Sequence, residues 1–110
     1  MDNEKVKNDE MYYEVLPAAD VIEEEKDAQL YLEVPGANSK SVTVEVNHKV
    51  LYIKAISTLR RAGYPLLYKR SFQLSDAVDI TGITAKTQDG VLTVTLPKSE
   101  RAMVHRIQVE

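Results

Sequence analysis

The sequence predicts an all-β chain folded as a two-sheet antiparallel β-sandwich, and three observations predict it. From residue 18 onward the apolar residues recur with a period of two, the strand period, rather than 3.6. The alternating runs are short, and Gly, Pro, Asn and Asp punctuate them. The chain has 110 residues, enough for one domain with a core that needs no cross-links.

Taken in order, residues 1–16 read as a short flexible N-terminal arm. "MDNEKVKNDE" is charged and aperiodic and is expected to be mobile. "MYYEVL" gathers Met11, Tyr12, Tyr13, Val15 and Leu16 into an apolar patch, and Pro17 ends any local helix. "ADVIEEEKDA" gives a short strand and then a charged turn over residues 24–27. "QLYLEVPG" alternates, with Leu30, Leu32 and Val34 on one face and Tyr31 and Glu33 on the other, until Pro35 and Gly36 stop it. "SVTVEV" puts Val42, Val44 and Val46 on one face. "NHK" is a turn, with the positive backbone angle assigned to Asn47. "VLYIKAI" sets Leu51, Ile53 and Ala55 against Val50, Tyr52 and Lys54, so residues 42–55 form a hairpin. The next stretch, "STLRRAGYPLLYK", reads as irregular and broken by Gly63 and Pro65. "KRSFQL" resumes a strand, "SDAVD" is a turn, "ITGITAKT" is short and mixed, and "QDG" is a tight turn. The final strand is the clearest: Val91, Thr93 and Thr95 alternate with Leu92, Val94 and Leu96. The total is seven to nine strands and no helix, the pattern of a sandwich in which each sheet buries one face.

Composition excludes several functions. With no cysteine, neither a disulfide framework nor a thiolate metal site is open to the chain. A net charge of -3 argues against a nucleic-acid partner, which calls for a basic face. No apolar run is long enough to span a membrane, and the polar N-terminus is unlike a signal peptide, so the expected compartment is cytoplasmic. His48 and His105 have no ligand or acidic partner at metal spacing, and no nucleophile elbow or glycine-rich phosphate loop occurs. The run Glu23, Glu24, Glu25, Asp27 lacks the spaced oxygen ligands and glycine of a calcium loop. The expectation is no enzyme, no metal and no cofactor.

Five stretches, in order, resemble the small heat shock proteins, the α-crystallin or Hsp20 family. "PAADVIEEEKDAQLYLEVPG" is similar to that family's opening strands, "VTVEVNHKVLYIKA" to its central hairpin and "YKRSFQLSDAVD" to its arginine-bearing strand. "ITAKTQDGVLTVTLPK" resembles the signature near the domain's end, and "RIQV" the C-terminal anchor of two apolar residues around a spacer. The resemblance covers residues 17 to 110. It implies an immunoglobulin-like sandwich (the α-crystallin domain) over residues 17–98, with residues 99–110 as a C-terminal extension. It also implies an ATP-independent holdase: a chaperone that binds partly unfolded client proteins under stress and keeps them from aggregating. Such proteins assemble from dimers into larger particles.

Residue chemistry agrees at the tail. In extended chain Ile107 and Val109 project to one side and Gln108 to the other. Two such knobs suit a groove at a sheet edge, filled by strand addition. The resemblance puts "SVTVEV" and "GVLTVTL" beside that groove, which makes Val42, Val44, Val46, Leu92 and Val94 the candidate walls. The connector "SERAMVHR" spans about 26 Å when extended, at roughly 3.3 Å per residue, enough to reach another subunit. The other reading is an ordinary last strand packed on its own domain. Arg70 matches the family's dimer-interface arginine; read by itself it is a solvated strand charge. The loop before it is short for a bacterial member. "YPLLY" then supplies Leu66, Leu67 and Tyr68 as dimer contacts by strand exchange, with side-by-side pairing of the "YKRSF" strands, or a weak or absent homodimer, as alternatives. Tyr12 and Tyr13 are candidate client contacts or pack on the domain itself. The short arm points to small assemblies, or mixed ones with a longer paralogue. The rival class is a p23-like co-chaperone, an adaptor sandwich for a specific folded partner, which needs no anchor.

Overall fold

The computed structural model describes residues 11–100 and 106–110. Eight strands run in the order β1 (Tyr13–Val15), β2 (Ala19–Glu23), β3 (Asp27–Glu33), β4 (Val42–Asn47), β5 (Val50–Arg61), β6 (Tyr64–Gln73), β7 (Thr84–Gln88) and β8 (Val91–Pro97). A 3-10 turn, Ile80–Gly82, precedes β7 and is capped by the Asp79 carboxylate, which accepts from the Thr81 N–H. One sheet has the order β1-β6-β5-β4, the other β2-β3-β8-β7. Every pairing is antiparallel except β1 with β6, which is parallel.

The predicted alternation becomes the core. Leu30, Leu32 and Val34 on one sheet, with Leu92, Val94 and Leu96 beside them, face Leu51, Ile53, Ala55, Leu66 and Tyr68 on the other. Each buried Leu, Ile or Val contributes about 1.5–3 kcal/mol. Val42, Val44 and Val46 are half-buried and pack on this core from the edge strand β4.

Three expectations are corrected. The turn between β4 and β5 has its positive angles at His48 (φ 52) and Lys49 (φ 63), one residue later than the sequence suggested, because Asn47 still pairs with Val50. Two residues at positive φ give the primed turn whose twist matches its flanking strands. The stretch from residue 57 to 69 is not irregular: β5 runs on to Arg61, Ala62 and Gly63 make another such turn (φ 54 and 84), and β6 starts at Tyr64. Pro65 is accommodated one residue into the strand, opposite Arg60. The price of the long hairpin is a register shift between Ile56 and Arg60, where the chain turns its polar groups towards β3's end. There the Thr58 N–H donates to the Gly36 carbonyl (2.9 Å), and Ser57 Oγ and the Tyr68 hydroxyl both donate to the Pro35 carbonyl (2.7 and 2.8 Å). Third, the arm does not extend to residue 16: Tyr13, Glu14 and Val15 lie in register with Leu66, Leu67 and Tyr68, and Tyr13 and Val15 pack on the core. An apolar x-y-x pattern found a sheet edge, which outweighs the freedom of an arm. Leu66, Leu67 and Tyr68 are 8%, 1% and 4% exposed within the chain's own fold.

At the other end, the tail is tied down as far as Ser99: Val78 bridges Lys98, and the Ser99 N–H donates to the Ala77 carbonyl at 2.6 Å.

Candidate functional site: a cleft between two open sheet edges

The strand orders leave β4 at the border of one sheet and β7 at the border of the other. Between them lies a cleft of about 500 Å3 lined by Ser39, Val42, Val44, Ala85, Lys86, Thr87 and Leu92. Its floor is the buried Leu92, and its walls are the half-buried valines of β4 and the small side chains of β7. Ala85 and Thr87 stand opposite Val94 and Leu92 in the ladder, so they share the inward face.

Turn chemistry decides where the backbone points. A two-residue turn makes the residues flanking it a hydrogen-bonded pair, and the alternation runs on from there. In β4–β5 the bonded pairs are therefore Asn47/Val50, Glu45/Tyr52 and Thr43/Lys54, in phase with the Ile56 N–H donating to the Ser41 carbonyl. Val42, Val44 and Val46 then aim their N–H and C=O groups away from β5, out of the sheet edge. By the same count from Asp89 and Gly90 (φ 52 and 79), Ala85 and Thr87 aim theirs out of the β7 edge. The cleft thus has an apolar floor and a row of unpaired backbone donors and acceptors on each side, the requirements of strand addition.

Of the expected groove residues, Val42, Val44 and Leu92 line this cleft. Val46 belongs to the same row of β4 but is not on the wall. Val94 is fully buried between the sheets and does not line this cleft, a correction. The reason is strand order: β8 is a central strand with β7 outside it, so the wall belongs to β7. Ser39, Ala85, Lys86 and Thr87 were missed as walls, although counting back from the Asp89–Gly90 turn places Ala85 and Thr87 opposite Val94 and Leu92.

Ile107 and Val109 lie outside any strand and are 83% and 88% exposed. They are not part of a last strand packed on their own domain. Arg70 is half-buried, and its guanidinium donates to the Pro17 carbonyl at 2.7 Å and sits 5.2 Å from the Phe72 ring centre. Tyr12 is half-buried, and Tyr13 is in β1. His48 is an exposed turn residue, and His105 lies outside the described residues. A wider depression of about 810 Å3 over the first sheet mixes acids and bases (Glu14, Glu45, Lys54, Lys69, Arg70), whereas the cleft has no acid on its walls. Among the described residues no helix is long and apolar enough to cross a membrane, and no three acidic, His or Cys side chains gather as metal ligands.

Three comparisons with known proteins agree. A family model described as Hsp20/alpha crystallin family matches residues 20–110. Small heat shock protein C2 of Rickettsia felis is 26% identical over 87% of this chain, and the 15.4 kDa class V heat shock protein of Arabidopsis thaliana is 35% identical over 69% of it. The chain spans 69% and 58% of the length of these two relatives. Among solved structures, a small heat-shock protein from Xylella fastidiosa superposes with a TM-score of 0.68 at 29% identity, covering 87% of this chain and 97% of that one.

Proposed function

This chain belongs to the Hsp20/alpha crystallin family of small heat shock proteins, a family of non-enzymatic chaperones, and we propose that within it the chain works as an ATP-independent holdase. The observation that carries the reading is the pairing, in one chain, of an open apolar cleft with two exposed apolar knobs at matching spacing. Ile107 and Val109 stand about 6.6 Å apart in extended chain, two strand residues of about 3.3 Å each. Val42 and Val44 on one wall, and Ala85 and Thr87 on the other, repeat at the same interval. A tail from another copy inserts as an added strand, its backbone closing the open edges and its knobs resting on Leu92. Glu110 just beyond the knobs is matched by Lys86 on the wall.

The same cleft has no shape requirement beyond an extended segment with alternating apolar residues. Unfolding proteins offer such segments. When heat loosens the tails, the cleft passes to clients, and no nucleotide is needed because exchange is driven by competition for one site.

The reading is tested with two unrelated heat-denatured enzymes and no ATP. A holdase suppresses light scattering from both; protection of neither would support an adaptor for a specific folded partner instead. Ile107→Gly with Val109→Gly is expected to lower the particle mass seen by multi-angle light scattering, because the tails no longer bridge copies. An unchanged mass would remove the anchor.

A further inference from the structure

β1 is three residues long, yet an arginine fastens it at each end. At its start the Arg61 guanidinium lies 5.3 Å from the centre of the Tyr13 ring. Just beyond its end Arg70 donates to the Pro17 carbonyl. Between these clasps only Tyr13 and Val15 pack on the core, while the neighbouring Met11 and Leu16 stay 67% and 69% exposed. Half of this apolar segment is therefore unburied, and a three-residue ladder is at the short end of the usual strand length. The β6 edge continues past it: by the alternation from the Leu74 N–H to Lys49 carbonyl bond, Lys69, Ser71 and Gln73 aim their backbone groups outward, with no strand beyond.

We propose that β1 is a removable strap over a second strand-addition site, on β6, whose ligand is an extended segment of a non-native protein carrying an aromatic and a β-branched residue two positions apart. The chemistry of the ligand is read from the strap that now fills the site. Its strand must run parallel to β6, as β1 does. Tyr13 stands beside Leu66 and Val15 beside Tyr68 on the inner face. Lifting the strap uncovers both of these core residues and lengthens the open edge back from Lys69 to Leu67. The site is separate from the β4–β7 cleft, since β6 and β4 lie on opposite sides of β5. The proposal rests on the reading that this protein binds non-native segments, and adds where and by what chemistry it does so.

The probe is a fluorescent peptide with the strap's own sequence, MYYEVLPA, followed by anisotropy. In the wild-type protein the strap competes and binding is weak. With Arg61→Gln and Arg70→Gln, which loosen both clasps and leave the core intact, affinity rises about tenfold, because the open state is more populated. The peptide MYSESLPA, lacking the aromatic and the branched residue, does not bind. A second variant locks the strap: Glu14→Cys with Leu67→Cys, partners in register in a chain that has no other cysteine. The oxidised form loses peptide binding and reduction restores it. An excess of the tail peptide RIQVE leaves the binding unchanged. Equal affinity for wild type and the double arginine variant, binding that survives the oxidised lock, competition by RIQVE, or a doubled particle mass in place of peptide binding would each overturn the strap. Client protection is scored in the same samples: its loss overturns the holdase reading, whereas unchanged peptide affinity overturns the strap alone.

Discussion

At the scale of single residues, the knot of polar contacts around Pro35 and Gly36 combines a positive φ with close packing. Gly36 has φ +85, and a Cβ placed on it would sit 2.1 Å from Ser57 Oγ, the hydroxyl that holds the Pro35 carbonyl. Gly63 has nearly the same angle, +84, but open space around it. The two glycines separate backbone strain from crowding. Gly63→Ala is expected to cost about 1 kcal/mol from strain alone. Gly36→Ala adds a displaced buried hydrogen bond and should cost on the order of 2–4 kcal/mol. Urea denaturation midpoints measure both, and equal losses would mean that Ser57 yields freely. Residue-level signals were readable where the residue type carries the chemistry: Gly36, Gly63 and the Asp89–Gly90 pair all stand at positive φ. They failed at His48 and Lys49, because neither residue is a turn former. Lys49 is held in its conformation by tertiary contacts: its ammonium pairs with Asp76, and its carbonyl accepts from the Leu74 N–H at 2.8 Å and from Gln73 Nε2 at 3.3 Å.

At the scale of elements, the edge strands β4 and β7 form the walls of the proposed site. β7 is exposed along most of its length, so changes there cost little stability. Ala85→Phe should fill the cleft while leaving the denaturation midpoint within about 0.5 kcal/mol of wild type. The expected result is at least a tenfold loss in affinity for a labelled RIQVE peptide, about 1.4 kcal/mol. Full affinity in a folded variant would place the tail elsewhere. The strands with strong alternation, β3, β4, β5 and β8, were legible because burial on one face imposes a period of two. β7 was read as short and mixed because its outward residues are polar and its inward ones are small. β1 was read as arm because three residues are too few for a period to show, and its partner β6 is more than fifty residues away. Arg70, which by itself reads as a solvated strand charge, donates in this chain to a carbonyl at the crossover from one sheet to the other, which no local pattern announces.

At the scale of the whole molecule, the sandwich followed from the sequence while the order of its strands did not. Periodicity says which residues turn inward; it says nothing about which strand lies next to which. Four pairings need only the next strand along: β2–β3, β4–β5, β5–β6 and β7–β8. Two do not, and of these β3–β8 joins seven residues of each strand, from Asp27–Pro97 to Glu33–Val91, through the middle of the second sheet. A neighbour so far along the chain is invisible to any window that reads a dozen residues at a time.

That long-range seam has a consequence for how the chain finds its native form. The hairpins close over a few residues and form in microseconds, while bringing β8 back to β3 encloses more than fifty residues of loop before any contact rewards it. The seam should therefore set the pace. Val94→Ala, at the seam, is expected to lose about 1–3 kcal/mol and to show most of that loss as slower refolding, whereas Val44→Ala, in the β4–β5 hairpin, should mainly quicken unfolding. Stopped-flow chevrons distinguish the two, and the reverse pattern would put the nucleus in the hairpin. After heating, the chain then recovers at a rate governed by a single zipper of leucines and valines, Leu30, Leu32, Leu92 and Val94.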